Sequence, residues 1–281
     1  MADADLEETF LCDLLRTESS DEEGPPPYEL KFDVYKRYVP YDVAGDPDSL
    51  PPLPCAELWG PRELSLALVQ SHHSLWGEYV YNAARWMADL IDDRSLAVRG
   101  RHVCELGAGA GLPSIVAALN GAKTVVISDY GTDADVGLLR AIEHNIAYAQ
   151  PHSSASMHAL SYIWGQPVDR FVDVLAEYGS LKFDFVLVAD CIFNRSEHRR
   201  LLSSIKGLLR EGSGECAVTF SHHDPHKREL DLNFFALARE EFGFDVECVA
   251  QQERLAYPFL LGDNWDSERG FVYFYRLRLP I

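Results

Sequence analysis

The chain has 281 residues, of which 47% are hydrophobic and 11% aromatic, enough for one large domain with a packed core. Its formal net charge of −19 argues against nucleic acid as a partner, because binding to phosphates requires a cationic surface. An acidic surface suits a basic protein partner or a cationic small molecule, and solubility alone is the simpler interpretation.

The cysteines and the hydropathy pattern bear on the compartment. Six cysteines without a C-x-x-C pair predict reduced thiols and no zinc site. The N-terminus lacks the basic start and apolar stretch of a signal peptide, and no run reaches the roughly 20 apolar residues of a membrane span. We therefore expect a soluble protein of the cytoplasm with no membrane partner. We also expect a monomer.

Two N-terminal segments precede the regular part of the chain. Residues 1–27 contain nine acids and one arginine, which predicts a disordered, solvating tail, with docking onto a partner as the alternative. Residues 28–75 form a predicted N-terminal arm, in which Tyr28–Tyr41 favours an extra strand and Asp42–Pro54 a loop. The main domain is expected over residues 76–281.

The main domain alternates helices and strands. Helical spacing of apolar residues covers Glu78–Ile91. A strand that ends at Leu106 leads into three glycines and a helix that stops at Asn120-Gly121. The remaining predicted elements are, in order, a strand over Lys123–Ser128, a helix over Asp135–Ala149, a strand over Ser156–Trp164, a helix over Arg170–Tyr178, a strand over Phe183–Cys191, a helix from a Ser196 cap to Leu209, a strand over Glu215–Phe220, a helix over Lys227–Phe242, and two antiparallel strands over Phe244–Ala250 and Gly270–Leu279.

This alternation predicts a mostly parallel sheet with helices on both faces. Ligands of such sheets bind outside the carboxyl ends of the strands, beside the first strand. Four features of the sequence meet there: the glycine turn after the first strand, Asp129 after the second, Trp164 after the third and Ala189-Asp190 after the fourth.

The glycines restrict the kind of nucleotide. They occupy positions 107, 109 and 111, and Leu112 stands where the dinucleotide fingerprint G-x-G-x-x-G requires glycine, so NAD is disfavoured. No lysine followed by serine or threonine closes the run, which excludes a P-loop. Glu105 and Asp129 end successive strands, and a carboxylate at Asp129 can accept hydrogen bonds from both hydroxyls of a ribose.

The segment Glu105–Gly111 (ELGAGAG) resembles the first motif of the seven-β-strand, or class I, S-adenosylmethionine-dependent methyltransferases. With Leu75-Trp76-Gly77, a Trp-Gly after the third strand and an Ala-Asp after the fourth, the chain from Trp76 onward resembles the protein lysine methyltransferases of that class. Asp190–Leu202 (DCIFNRSEHRRLL) is similar to the D-x-x-F-N-x-[ST]-E-H segment of one fungal branch. That branch methylates the N-terminus and adjacent lysine of translation elongation factor 1-alpha, and some members carry the older label nicotinamide N-methyltransferase-like.

The resemblance implies a Rossmann-like seven-stranded sheet, mostly parallel with an antiparallel C-terminal strand. It also implies S-adenosyl-L-methionine as the cofactor and elongation factor 1-alpha as the protein substrate. Trp76 would pack at the methionine end of the cofactor and Trp164 along the adenine, with core packing as the alternative for both tryptophans. The implied cofactor-binding residues are Trp76, Gly107, Ala108, Gly109, Asp129, Trp164 and Ala189, and for Ala189 an ordinary strand position is the alternative.

Methyl transfer to an amine requires a neutral nitrogen aligned with the S–CH3 bond. Asp190 or Asn194 is predicted to accept or steer the amine proton. Capping of the next helix is an equal alternative for Asp190, and orientation of the loop is the simpler role for Asn194. Phe193 stands where the wider family has tyrosine. Together with Trp265 or Tyr257, it could line the pocket and contact a cationic amine through a cation–π interaction. For Trp265 and Tyr257, packing is the simpler role.

The histidines and the function class leave further alternatives open. His72, His73, His222, His223 and His226 lack regular metal-ligand spacing and are expected to be solvated loop residues, with a place at the pocket rim as the alternative for the pair at 222–223.

A small-molecule N-methyltransferase would need a closed pocket, whereas a protein substrate needs an open channel. A non-catalytic adaptor with the same fold is the third class. The acidic balance of the chain matches the lysine-rich N-terminal segment expected of the elongation factor.

Overall fold

The computed structural model describes residues 30–37, 60–69, 77, 79–131, 137–253 and 270–281. Several predictions concern residues outside these ranges: the tail over 1–27, the loop over Asp42–Pro54, and the side chains of His72, His73, Trp76, Tyr257 and Trp265. Among the described residues, no helix combines the length and the apolar composition needed to cross a membrane.

An antiparallel hairpin opens the described part of the chain. Strands β1 (Leu30–Lys36) and β2 (Glu63–Val69) pair along their full length, from Leu30 opposite Val69 to Lys36 opposite Glu63. The extra strand predicted within Tyr28–Tyr41 is therefore confirmed. It pairs in a two-stranded sheet of its own instead of joining the main sheet.

The main sheet has seven strands in the order β5-β4-β3-β6-β7-β9-β8. Strands β3 to β7 are parallel, and β9 runs antiparallel to both of its neighbours, so the predicted architecture is confirmed. The chain leaves β3 toward β4 on one side and returns to β6 on the other, which makes β3/β6 the switch point at which ligands bind. The strands are β3 (His102–Leu106), β4 (Thr124–Asp129), β5 (Ser156–Ser161), β6 (Phe185–Ala189), β7 (Glu215–Phe220), β8 (Asp245–Glu253) and β9 (Phe271–Arg278).

Helices cover both faces of this sheet because its strands are apolar on both sides. On β3, Val103 packs into a core with the first three helices, whereas Cys104 and Leu106 pack into a second core with the last three. The described helices are α1 (Asn82–Asp92), α2 (Leu112–Leu119), α3 (Gly137–Ala149), α4 (Asp169–Ala176), α5 (His198–Leu208) and α6 (Arg228–Glu240).

Several predicted boundaries differ from the observed ones, and three of them bear on the site. Helix α1 begins at Asn82 and not at Glu78, because Tyr81 has an extended backbone with ψ of 154°. The third strand of the main domain ends at Ser161, and Trp164 lies in the turn that follows. Ser196 is not the cap of α5: it lies in a 3-10 turn over Arg195–Glu197, and its hydroxyl donates to Asn194 Oδ1 at 3.2 Å.

A buried ion pair attaches the hairpin to the domain. Arg37, directly after β1, donates to Asp92 at the end of α1 through Nη2 at 2.6 Å and Nε at 3.2 Å. Asn120 donates to the same carboxylate at 2.7 Å. Burial raises the pKa of Asp92, while hydrogen bonding and attraction from Arg37 oppose that rise. Both side chains of the ion pair are almost completely buried, so the hairpin is an integral part of the packed structure.

Candidate active site

The glycine turn after β3 is built from left-handed backbone. Gly107, Gly109 and Gly111 have φ of 67°, 55° and 72°, a region that other residues enter only at a cost. A Cβ on Gly107 would lie 2.7 Å from Cys191 Sγ, and a Cβ on Gly111 would lie 2.9 Å from Ile127 Cγ2. A Cβ on Gly109 would meet no described atom within 4 Å. The first and third glycines therefore pack against the protein, whereas the middle one borders open space.

Leu112 and Ala108 complete this turn. Leu112 begins α2, and its side chain is buried in the core. Ala108 N donates to Ser128 O at 3.1 Å, and Gly111 N donates to Ala108 O at 2.7 Å. The first bond ties the turn to the end of β4, and the second closes the turn on itself.

Asp129, at the end of β4, faces the glycine turn. Its Oδ2 accepts a hydrogen bond from Gly109 N at 2.5 Å, and its Oδ1 accepts one from Tyr130 N at 2.6 Å. A carboxylate offers about four acceptor positions, more than these two hydrogen bonds use. The two backbone amides hold the carboxylate in a defined orientation at the edge of the open space beside Gly109.

Glu105, the other acid of the motif, has a different environment. Its side chain is 1% exposed, and Oε2 accepts a hydrogen bond from Ser114 N in the first turn of α2 at 3.0 Å. Burial raises its pKa from 4.5 to about 8, with Ser114 opposing and the charge of Asp129 adding to the rise. Among the described residues, Glu105 Oε1 and Ser114 Oγ have no hydrogen-bond partner. Glu105 is therefore a largely neutral acid that anchors α2 beneath the turn.

The third and fourth strand ends of the predicted site reach the same turn. A Cβ on Gly107 would lie 2.9 Å from Trp164 Cζ2, which shows that the half-buried indole lies against the turn. Cys191 Sγ lies 3.7 Å from Gly107 O. Ala189, the last residue of β6, is buried in the core shared with α1–α3. The structure thus places Trp164 and Asp129 against the glycines, and Ala189 at the end of the adjacent strand β6.

Asp190 follows β6 with a left-handed backbone, φ 57°, which is unusual for a residue with a side chain. Its carboxylate accepts a hydrogen bond from Ser221 N at 3.2 Å and lies 3.1 Å from His223 Nε2. These partners belong to the segment after β7 and not to helix α5. The capping alternative for Asp190 is therefore wrong.

Asn194 lies farther along the same loop and is half-buried. Its Oδ1 accepts from Ser196 Oγ, and its backbone carbonyl accepts from Glu197 N at 3.1 Å. These contacts support the loop-orienting interpretation. A catalytic role for Asn194 stays a prediction.

The histidine pair after β7 was predicted to be solvated, and that prediction is wrong. His222 is buried, and its Nδ1 contacts Asp231 Oδ2 at 2.8 Å. His223 is 21% exposed in its side chain and stacks on Phe193 with a centroid distance of 4.7 Å and an interplanar angle of 12°. Tyr81, before α1, lies parallel to the same imidazole at 6.1 Å. The only hint in the sequence was the position of the pair at the end of a predicted strand.

These features fit an adenosine-containing methyl donor. The open space at Gly109 leaves room for close approach to the backbone, and Asp129 presents an oriented acceptor for ribose hydroxyls. The indole of Trp164 offers an apolar surface beside the turn. Together with the seven-stranded sheet, this geometry defines a class I S-adenosylmethionine-dependent methyltransferase.

Comparisons with known proteins narrow the class. A model of the lysine methyltransferase family matches residues 62–241. The protein N-terminal and lysine N-methyltransferase efm7 of Schizosaccharomyces pombe is 39% identical over 226 residues, which cover 79% of this chain and 85% of that relative. The protein of the same description from Gibberella zeae is 33% identical over 248 residues, covering 81% and 89%. The chain belongs to the lysine methyltransferase family, and this membership confirms S-adenosyl-L-methionine as its cofactor.

A similarity to solved structures supports the fold alone. A crystal structure from Pyrococcus horikoshii, provisionally assigned as an RNA methyltransferase, superposes with a TM-score of 0.51 at 19% identity. The superposition covers 77% of this chain and 92% of that one. The family match makes this chain a methyltransferase, and the relatives are described as N-methyltransferases of protein N-termini and lysines.

Proposed function

We propose that this protein methylates the N-terminal α-amine and the adjacent lysine of translation elongation factor 1-alpha. The observation that carries the proposal is the similarity to relatives described as protein N-terminal and lysine N-methyltransferases, of which the chain covers 85% in the S. pombe example. The loop over 190–198, which carries the resemblance to the branch acting on this factor, lies beside the glycine turn. The net charge of −19 favours a lysine-rich substrate segment.

The bound cofactor supplies a methyl group on a sulfonium, activated toward an amine nucleophile. We propose that Asp129 holds the ribose, that Gly107, Ala108 and Gly109 provide the surrounding backbone, and that Trp164 lies along the adenine. Trp76, outside the described residues, is proposed at the methionine end. Ala189 lines the pocket through its backbone, and Asp190 faces the incoming amine.

The two proposed acceptor nitrogens differ in basicity. An α-amine has a reference pKa of about 8 and a lysine one of about 10.4, so far less of the lysine is neutral at pH 7. Modification of both therefore requires the site to receive a cationic amine and remove its proton. We further propose that the reaction takes place in the cytoplasm, that the protein acts as a monomer, and that the arm over 28–75 and the domain over 76–281 together form the enzyme.

The test uses the purified full chain, labelled S-adenosylmethionine and three peptides with the N-terminal sequence of the factor. One has both amines, one is acetylated at its N-terminus, and one carries arginine in place of the adjacent lysine. We expect label in all three, with each blocked peptide labelled at its remaining amine. Transfer to nicotinamide with none to any peptide would support the small-molecule alternative. Failure to bind the cofactor at all would support the adaptor.

A further inference from the structure

His223 lies close to the strand end that carries Asp190. It follows β7 at the carboxyl edge of the sheet, and its Nε2 is 3.1 Å from Asp190 Oδ2 at the end of the adjacent strand β6. The next residue, Cys191, contacts the carbonyl oxygen of Gly107. The Asp190–His223 pair is therefore one residue removed from the turn at which the methyl donor binds.

We propose that His223 accepts the proton of the substrate amine and that Asp190 orients its imidazole and stabilises the imidazolium. This inference rests on the proposed function, because it assigns a role in methylation of an amine. It differs from the expectation drawn from the sequence, in which Asp190 or Asn194 took the proton directly.

The contacts of the ring define which nitrogen would act. Nε2 lies 3.1 Å from an oxygen of the Asp190 carboxylate, and that charge favours the tautomer with its proton on Nε2, so the neutral imidazole carries its basic lone pair on Nδ1. Phe193 and Tyr81 both lie nearly parallel to the ring, at interplanar angles of 12° and 20°. These aromatic faces hold the imidazole in one plane and favour a cation beside them, either the imidazolium or the substrate ammonium.

The charges around His223 come from three elements. Burial is the largest single influence on the pKa of His223, and it lowers that pKa. Attraction and hydrogen bonding from Asp190, together with attraction from Asp231 on α6, raise the pKa by more than burial lowers it. Arg195, in the 3-10 turn before α5, acts in the opposite direction. The net result is a raised pKa, which suits a group that takes up protons near neutral pH.

The step balances without any further reactant. The substrate ammonium gives a proton to Nδ1 of His223, and the nitrogen lone pair then forms the N–C bond as the S–CH3 bond breaks. The electrons of that bond remain on sulfur, which becomes a neutral thioether. The product is a methylated ammonium ion, and the imidazolium releases its proton to water before the next cycle.

Three variants test the proposal in the full chain. His223→Gln removes the base, Asp190→Asn removes its charge partner, and His226→Gln replaces an exposed histidine on the same segment as the control. At pH 7 we expect His223→Gln to lower kcat on the lysine by about 100-fold or more, within the usual range for general bases. The loss on the α-amine should be limited to about 10-fold, because roughly a tenth of that amine is already neutral.

The pH profile separates this role from a structural one. The activity of His223→Gln should recover as pH rises, since the free amine then loses its proton to solvent. Asp190→Asn should shift the acidic limb of the profile to lower pH, because it removes a group that raises the pKa of His223. His226→Gln should match the wild type in kcat on both amines and in the pH profile of activity.

Binding of S-adenosylhomocysteine and the thermal midpoint establish that each variant is folded. If His223→Gln keeps the wild-type kcat and profile on both amines, the proposal is wrong. If His223→Gln does not fold, the pH profile of Asp190→Asn is the test. An acidic limb at the same pH as in the wild type would then overturn the proposal. A wild type that methylates none of the peptides would instead refute the proposed function.

Discussion

Asn145 on α3 bonds to both backbone groups of Ala67 in β2. Its Oδ1 accepts from Ala67 N at 2.7 Å, and its Nδ2 donates to Ala67 O at 3.0 Å. The same Nδ2 donates to Ala110 O in the glycine turn at 2.9 Å. One buried side-chain amide thus makes the two hydrogen bonds to Ala67 that a neighbouring strand would otherwise make. Its third hydrogen bond connects the hairpin to the glycine turn.

Replacement of Asn145 by alanine is expected to lower the free energy of unfolding by roughly 3 kcal/mol, because buried backbone groups lose their partners. Affinity for S-adenosylhomocysteine should fall as well, since Ala110 is no longer held. Urea denaturation and calorimetric titration measure the two effects. Glu143→Gln, at an exposed position of the same helix, should change neither quantity. Unchanged affinity in a destabilised Asn145→Ala would contradict the connection to the turn.

The glycines of the turn should respond differently to alanine. Gly109→Ala introduces backbone strain of about 1 kcal/mol but no clash, and its methyl group would project into the space beside Asp129. We expect a small loss of stability and a large loss of cofactor affinity. Gly107→Ala adds contacts that are too close to Cys191 and Trp164, so its main effect should be on stability.

Gly179→Ala is the matched control for strain. Gly179 has φ of 76° and, like Gly109, no described atom within 4 Å of a Cβ, but it lies in the turn after α4. Its stability loss should equal that of Gly109→Ala while binding stays normal. Equal cofactor affinities in these two variants would show that the open space at Gly109 does not belong to the cofactor.

Asp129→Asn keeps the shape of the side chain and removes its charge. Hydrogen bonds to a charged acceptor contribute about 1.5–3 kcal/mol, so affinity for S-adenosylhomocysteine is expected to fall roughly 10- to 100-fold. The thermal midpoint should fall moderately, because the amide oxygen can still accept from Gly109 N, whereas the amide nitrogen faces the N–H of Tyr130 and cannot accept from it. Calorimetric titration of this variant is compared with Asp173→Asn, an exposed acid on α4. Wild-type affinity in Asp129→Asn would exclude the proposed ribose contact.

Glu105 makes stability depend on pH. Its pKa is about 8 in the folded chain and 4.5 ordinarily, so the folded state favours the protonated acid. The stability that this group contributes is complete below pH 4.5 and is lost as pH rises to about 8. Chemical denaturation at several pH values should show this decline in the wild type and a smaller one in Glu105→Gln. The exposed Glu211→Gln should retain the full decline, and a parallel decline in Glu105→Gln would refute the assignment.

The central strands and the cofactor edge could be predicted because their signals are local. β7 was predicted with its observed bounds, since Glu215–Phe220 is an apolar run between polar turns. The glycine turn and Asp129 follow from spacing alone, because parallel strands place their carboxyl ends at one edge. Helix α1 was placed too early, since apolar periodicity does not detect the extended backbone at Tyr81.

The surroundings of His223, where we propose that the substrate amine loses its proton, could not be predicted from the spacing of residues in the sequence. The surroundings of His223 come from Tyr81 before α1, Phe193 after β6 and Asp190 at the end of that strand, which are far apart in the chain. Sequence proximity made capping of the following helix an equal alternative for Asp190, whereas the carboxylate of this residue, which has a left-handed backbone, contacts the segment after β7. Only tertiary packing determines these partners.

The contact between Arg37 and Asp92 makes the stability of the main domain depend on the N-terminal hairpin. A fragment that began at residue 76, the domain boundary expected from the sequence, would retain Asp92 and Asn120 but lose the only arginine that pairs with this carboxylate among the described residues. Removal of one partner of a buried ion pair costs about 3–5 kcal/mol, a large share of the roughly 5–15 kcal/mol that stabilises a typical domain. The methyltransferase unit can therefore be transplanted or shortened only with its hairpin, or with a neutral residue at position 92.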